Sequence, residues 1–109
     1  MLLSHCTANT AQNQMQFGLK AAKDDLWDEA VFRWKKVAAE NPDSSAAHNN
    51  LAVAYERSGL WEEAEKEYQI AVRLSPRNEY IQANYEKFKS RRDSQKEDEK
   101  EKKEEKKKK

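Results

Sequence analysis

The five residues LWDEA at 26–30 return as LWEEA at 60–64, 34 positions further along the chain. Laying residues 11–44 over 45–78 extends the match to Pro42/Pro76 and, in kind, to Phe17/Leu51, Gly18/Ala52, Trp34/Tyr68 and Val37/Ala71. The identities cluster at one turn and one terminating proline. A fixed period of roughly 20–50 residues marks an architecture of stacked, near-identical units.

Each unit reads as two helices. Proline occurs only at 42 and 76, where it stops a helix, and helix formers fill the stretches between. In the second unit a first helix is predicted over 45–58, with Leu51, Ala52 and Tyr55 on one face. Ser58-Gly59 ends it, the glycine supplying a left-handed residue. The second helix is predicted over 61–74 and turns Ala64, Tyr68, Ala71 and Val72 inward. The first unit repeats the plan over 12–24 and 27–40, with Asp24-Asp25 at the turn. Ala30 and Ala64 stand where two helices cross closely; Trp34 and Tyr68, one turn later, fill the wider gap. Small against large is how helices interlock. Trp27 and Trp61 open the second helices and read as core packing. Residues 79–93 carry Tyr80, Ile81, Ala83, Tyr85 and Phe88 at helical spacing. They read as a lone helix closing the last inner face.

Taken together, these residues resemble the tetratricopeptide repeat. The family's Leu-Gly, Tyr, Ala, Phe and Pro places hold Leu51-Ala52, Tyr55, Ala64, Tyr68 and Pro76 in the second unit. In the first they hold Phe17-Gly18, Ala21, Ala30, Trp34 and Pro42. Two departures, Gln14 and His48 at the early Trp place and Ala21 for Tyr, point to a loosely packed first unit. The resemblance implies an all-α, right-handed α-solenoid of two helix hairpins, 11–44 and 45–78, plus a C-terminal capping helix over 79–93.

The resemblance also implies that the first helices line a concave side where a peptide or partner segment lies. Carried over place by place, the lining residues form columns: Gln16, Asn50 and Asn84; Lys23, Arg57 and Arg91; Leu19, Val53 and Lys87; and Met15, Asn49 and Ala83, with Tyr80 at the far end. A carboxamide both donates and accepts, so the first column suits a peptide backbone. The cationic column suits acidic side chains or a free C-terminal carboxylate, with Glu56 partly offsetting it. Blander readings stand beside these: local capping for the carboxamides and solvated helix ends for the cations. Some family members clamp acidic chaperone C-termini with Lys, Asn, Asn, Lys and Arg. Those places hold Met15, Leu19, Asn50, Tyr80 and Asn84, of which only Asn50 matches, so that activity is not expected.

The expected function is a non-catalytic adaptor whose partner is another protein, presented as an extended or helical, acidic or C-terminal segment. The alternative is a small structural subunit or a membrane-tethered scaffold. No Ser–His–acid set, phosphate loop or metal spacing occurs, and His48 reads as a structural histidine. One cysteine, Cys6, excludes an intramolecular disulfide. Neither a metal nor a cofactor is expected.

Charge bears on partners too. Residues 96–109, KEDEKEKKEEKKKK, hold 8 Lys and 6 acids, leaving a body of net −1. Neither part has the positive field of a nucleic-acid binder. No stretch reaches the ~20 apolar residues of a membrane span. The tail, 94–109, sets acids four residues before lysines, as at Asp98/Lys102 and Glu104/Lys108. That order suits a helix, but with no apolar face the expectation is fraying helix running into disorder. At the other end, residues 1–10 read as a disordered segment. Leu3-Ser4-His5-Cys6 looks like a damaged lipoprotein signal. If the start lies upstream, Cys6 is lipidated, residues 7–14 are a tether, and the chain sits on a membrane facing the periplasm. As written, the chain is expected in the cytoplasm.

Overall fold

The structure, a computed structural model, describes residues 10–108. Cys6 and the expected lipoprotein-like segment lie outside them. Five helices follow in order: α1 (Ala11–Lys23), α2 (Trp27–Glu40), α3 (Ser45–Arg57), α4 (Trp61–Leu74) and α5 (Glu79–Lys107). No strand occurs among the described residues. Each helix packs on the next, and α5 also touches α3. The result is the expected all-α solenoid of two hairpins and a closing helix.

The period governs the helix ends as well as the core. The side chains of Thr10, Ser44 and Asn78, one period apart, each accept a hydrogen bond from the backbone N–H three residues on, at 3.1–3.2 Å. Each thereby satisfies one of the orphan donors of a helix start. The second helices have no side-chain cap, but carry Asp28 and Glu29 or Glu62 and Glu63 in their first turn. Those carboxylates sit at the positive end of the helix dipole. Between the helices of each hairpin the chain makes the same turn. Leu26 N–H donates to the Ala21 carbonyl at 2.8 Å and Leu60 N–H to the Tyr55 carbonyl at 2.9 Å. The residue before each leucine is left-handed: Asp25 at φ 58° and Gly59 at φ 77°.

That difference yields a prediction. Asp25 bears the steric cost of the left-handed region, which glycine escapes. Asp25→Gly should stabilise the fold by about 0.5–1 kcal/mol. Gly59→Asp should lose a similar amount, and thermal unfolding monitored by circular dichroism reads both, as shifts of about 4 °C in opposite directions.

Two clusters form the core. Ala21, Ala30, Trp34, Val37, Ala38, Ala47, Leu51 and Ala54 join the first hairpin to α3. Ala52, Ala64, Tyr68 and Phe88 join the second hairpin to α5. Trp34 and Tyr68 are 2% and 1% exposed. The loose first unit expected from Ala21 and Gln14 is not found. The indole of Trp34 lies directly against Gly18, and its Nε1 donates to the Met15 carbonyl at 3.1 Å. Gln14 is buried and accepts from Arg33 at 3.2 Å. Ala21 and Trp34 are buried in one cluster. His48 is held between the Glu67 carboxylate, 2.7 Å away, and the Pro42 carbonyl, 2.8 Å away. This is a tie between α3, α4 and the loop before α3.

α5 repeats α3 on one side and abandons it on the other. Where α3 faces the preceding hairpin with Ala47, Leu51 and Ala54, α5 has Ile81, Tyr85 and Phe88 one period later. The places that in α1 and α3 face a following second helix, Gly18/Ala52 and Ala21/Tyr55, hold Glu86 and Lys89. These two form an ion pair at 2.7 Å in solvent. A helix with one apolar stripe and a charged reverse closes a stack.

The helix does not stop at residue 93, where the capping helix is expected to end. α5 runs as one helix to Lys107, through the stretch where fraying and disorder are expected. Arg92 donates to Glu62 of α4 at 3.1 Å and to Gln95 at 2.9 Å, and Gln95 in turn donates to Glu99. This chain of bonds carries the docked helix into the tail. Acids placed before lysines, and Lys106 and Lys107 in the last turn, favour its continuation.

Candidate binding site

Val53, Arg57, Asn84, Lys87 and Arg91, all expected to line the groove, come together around one cavity of about 220 Å³. α3 supplies the first two and α5 the other three, so α5 both packs on the stack and lines the cavity. Trp27, Glu56 and Tyr68 complete the lining.

The cavity is polarised from the inside. Glu56 is 8% exposed and accepts from the Tyr68 hydroxyl at 2.8 Å. Its other oxygen pairs with Arg91 Nη1 at 2.9 Å. Three helices are tied at one carboxylate. Burial, then the bond to Glu56, pushes the Tyr68 phenol well above its ordinary value of 10.0. A phenol raised in the folded state contributes stability at neutral pH, lost only as pH rises through that higher value. Tyr68 should therefore stay silent in an ultraviolet titration until the protein unfolds in alkali. In Tyr68→Phe, the number of tyrosines titrating before unfolding should be unchanged.

Three cations, Arg57, Lys87 and Arg91, face this one carboxylate. Arg57 is positioned by Trp27, with its guanidinium carbon 5.0 Å from the ring centre. That stacking holds the charge over the opening without neutralising it. Arg91 is partly committed to Glu56, yet its side chain is 58% exposed. Lys87 is exposed on α5. On the far side of the Trp27–Arg57 pair lies a larger cavity, about 640 Å³, lined by Asp25, Leu26, Asp28, Glu29 and Ser58. Its charge is of the opposite sign, and of the expected groove residues only Arg57 reaches it.

Other expected groove residues fall elsewhere. Asn49 is 2% exposed, and Asn84 Nδ2 donates to its carbonyl oxygen at 3.2 Å. It is an internal tie between α3 and α5, a correction of its place on the groove surface. Asn50 is half-buried on α3 and outside the cavity lining. Gln16, Leu19 and Lys23 are exposed on α1, and Tyr80 is 69% exposed at the start of α5. None of them lines the cavity. The cationic column likewise does not act as a row: Arg91 is paired, Arg57 is stacked and Lys23 stands apart. Trp27 was expected only in the core. Its signal is the recurrence of a tryptophan opening both second helices with an arginine over each ring, Arg57 on Trp27 and Arg92 on Trp61 at 5.8 Å. Among the described residues no cluster of His, Cys, Asp or Glu could hold a metal ion, and no helix is long and apolar enough to cross a membrane.

Comparison with known proteins bears on the architecture. Residues 45–78 match the family model described as Tetratricopeptide repeat, the bounds expected for the second unit. A solved structure, MamA MSR-1 C2, superposes with a TM-score of 0.69 at 24% identity, over 84% of this chain and 52% of that one. At this identity the likeness shows the fold. The protein O-mannosyl-transferase F38B6.6 of Caenorhabditis elegans is 32% identical over 79 residues, 72% of this chain but 11% of that protein. The chain thus spans about a ninth of that relative, whose transferase activity stays its own. The 34-residue period, the matched repeat and the stacked hairpins agree: the chain carries a tetratricopeptide repeat at 45–78 within a solenoid of the tetratricopeptide-repeat fold.

Proposed function

We propose that the chain is a non-catalytic adaptor that holds an extended, acidic segment of a partner protein in the cavity between α3 and α5. The tetratricopeptide repeat at 45–78 supports a protein-interaction module in general. The observation that carries the finer reading is the convergence of Arg57, Lys87 and Arg91 with Asn84 and Val53 on one opening. Acidic side chains or a terminal carboxylate pair with the cations. The exposed part of the Asn84 carboxamide meets the peptide backbone, and Val53 and the edge of Trp27 accept a small apolar side chain. The single buried carboxylate is already satisfied, so a bound acid does not meet a free negative charge. A volume of about 220 Å³ suits one or two residues, with the remainder lying across the surface.

Calorimetric titration with short peptides tests this. An acidic peptide ending in a free carboxylate should bind more tightly than its amidated form and than its Asn/Gln counterpart. Arg57→Glu should weaken it about tenfold or more, since a charge-assisted bond contributes ~1.5–3 kcal/mol. Lys23→Glu on α1 should leave it unchanged. Equal affinity for acidic and neutral peptides would refute the charge reading, and equal losses from Arg57→Glu and Lys23→Glu would refute the location.

A further inference from the structure

The tail of α5 shows an order in three dimensions that its composition conceals. In sequence, acids and lysines are interspersed from 96 onward. On a helix they separate. Lys96, Lys100, Lys103 and Lys107 recur at i, i+4, i+7 and i+11, a spacing that sets side chains in one stripe. Lys102 and Lys106 flank that stripe on one edge. Glu97, Asp98, Glu101, Glu104 and Glu105 fall on the other side, joined there by Lys108. Glu99 is the one acid on the lysine side, and it accepts a hydrogen bond from Gln95. Residues 96–108 are all exposed and none is apolar. The helical part, 96–107, forms an arm of about 18 Å at the ~1.5 Å rise of a helix. The molecule is accordingly 72 Å in its longest dimension against 30 and 20 Å.

We infer that this arm lies flat, lysine stripe down, on a lipid surface bearing anionic headgroups. The choice of occupant rests on charge complementarity and shape. A plane touches one side of a helix, so the acids on the reverse remain in water and cost nothing. A nucleic-acid groove encloses a helix and would bring phosphates against the acidic side as well. An acidic protein partner calls for an apolar centre to its interface, and the arm has none. A headgroup plane asks only for a row of cations, each strengthening partitioning by roughly fivefold. The body carries net −1, too little to repel the arm from such a surface. Lacking apolar residues, the arm rests on the headgroups without inserting, and salt releases it as the screening length falls to ~3 Å at 1 M.

Vesicle co-sedimentation of the full chain tests the inference. Vesicles of phosphatidylcholine with phosphatidylserine should retain the protein at low salt, and vesicles of phosphatidylcholine alone should not. Replacing Lys96, Lys100, Lys103 and Lys107 together by Gln should lower partitioning at least tenfold. Replacing the same four by Arg should preserve it. Glu97→Gln, Glu101→Gln and Glu105→Gln combined should leave it equal or stronger. Circular dichroism on every variant separates loss of the stripe from loss of the helix: a glutamine variant that binds less while staying helical supports the inference, and the arginine variant decides the case if helix is lost. Retention by both vesicle types, or by neither, overturns it. So does tighter retention of the chain by duplex DNA or polyglutamate than by the anionic vesicles, lost with the same four lysines.

Discussion

Gly18→Ala should destabilise the protein by about 3 kcal/mol, the upper end of the usual cost of overpacking a core. A Cβ at position 18 would lie 2.1 Å from Nε1 of Trp34 and 2.5 and 2.6 Å from two further ring atoms. The indole cannot turn aside cheaply, since it is 2% exposed and donates to the Met15 carbonyl. The same place in the second unit is Ala52, and the ring beside it is Tyr68, a smaller one. The two units thus hold matched pairs, Gly with Trp and Ala with Tyr. Trp34→Phe alone should cost about 2–3 kcal/mol through the gap it leaves. Combined with Gly18→Ala, it should recover about 2 kcal/mol relative to the summed single losses. Phenylalanine is the right partner, because Glu56, which accepts from the Tyr68 hydroxyl, has Ala22 as its first-unit counterpart. Urea unfolding of the two single variants and the double variant measures the coupling; additive losses would show that the pairs are not matched.

The second large effect is expected at Phe88→Ala, at about 3–5 kcal/mol. Phe88 is 1% exposed, with its ring 5.1 Å from Tyr68, 5.9 Å from Trp61 and 6.2 Å from Tyr85. Among the described residues it is the largest fully buried side chain of α5. Its counterpart one period earlier, Ala54, is fully buried at the junction of α3 with the first hairpin, where two whole helices share the packing. Among the described residues no second helix packs behind α5, so Phe88, with Ile81 and Tyr85, carries its packing. The loss should be local. Hydrogen exchange should show α5 amides losing protection far more than those of α1 and α2, because repeats couple chiefly to their neighbours. A uniform loss over all five helices would contradict that picture.

How much of this was legible depended on whether the cause was local or distant. The hairpins follow from Pro42 and Pro76, the turn at Gly59 and the paired Ala30/Trp34 and Ala64/Tyr68, because each acts within a few residues of itself. The three caps Thr10, Ser44 and Asn78 obey the same rule, and their 34-residue spacing is the signal. The family's lining places put Asn49 on the groove, in a column with Met15 and Ala83. Only the approach of α5 shows that its carboxamide is taken by Asn84. Burying nothing, the tail is expected as a fraying helix running into disorder, whereas the bonds running Glu62–Arg92–Gln95–Glu99 extend the docked helix beyond its core contacts. Family places lead to the α3 and α5 residues that line the cavity, whereas α1 contributes none of its lining and α2 contributes Trp27.

In the proposed function α5 is at once a closing helix and one wall of a site for an acidic segment. Amide chemical-shift mapping during titration with an acidic, free-carboxylate peptide tests this most directly. The expected result is a set of perturbations centred on Val53, Arg57, Asn84, Lys87 and Arg91, together with the Trp27 indole N–H. Perturbations centred on the lysine stripe of the tail or on α1, with the α3–α5 cavity unchanged at saturation, would contradict it.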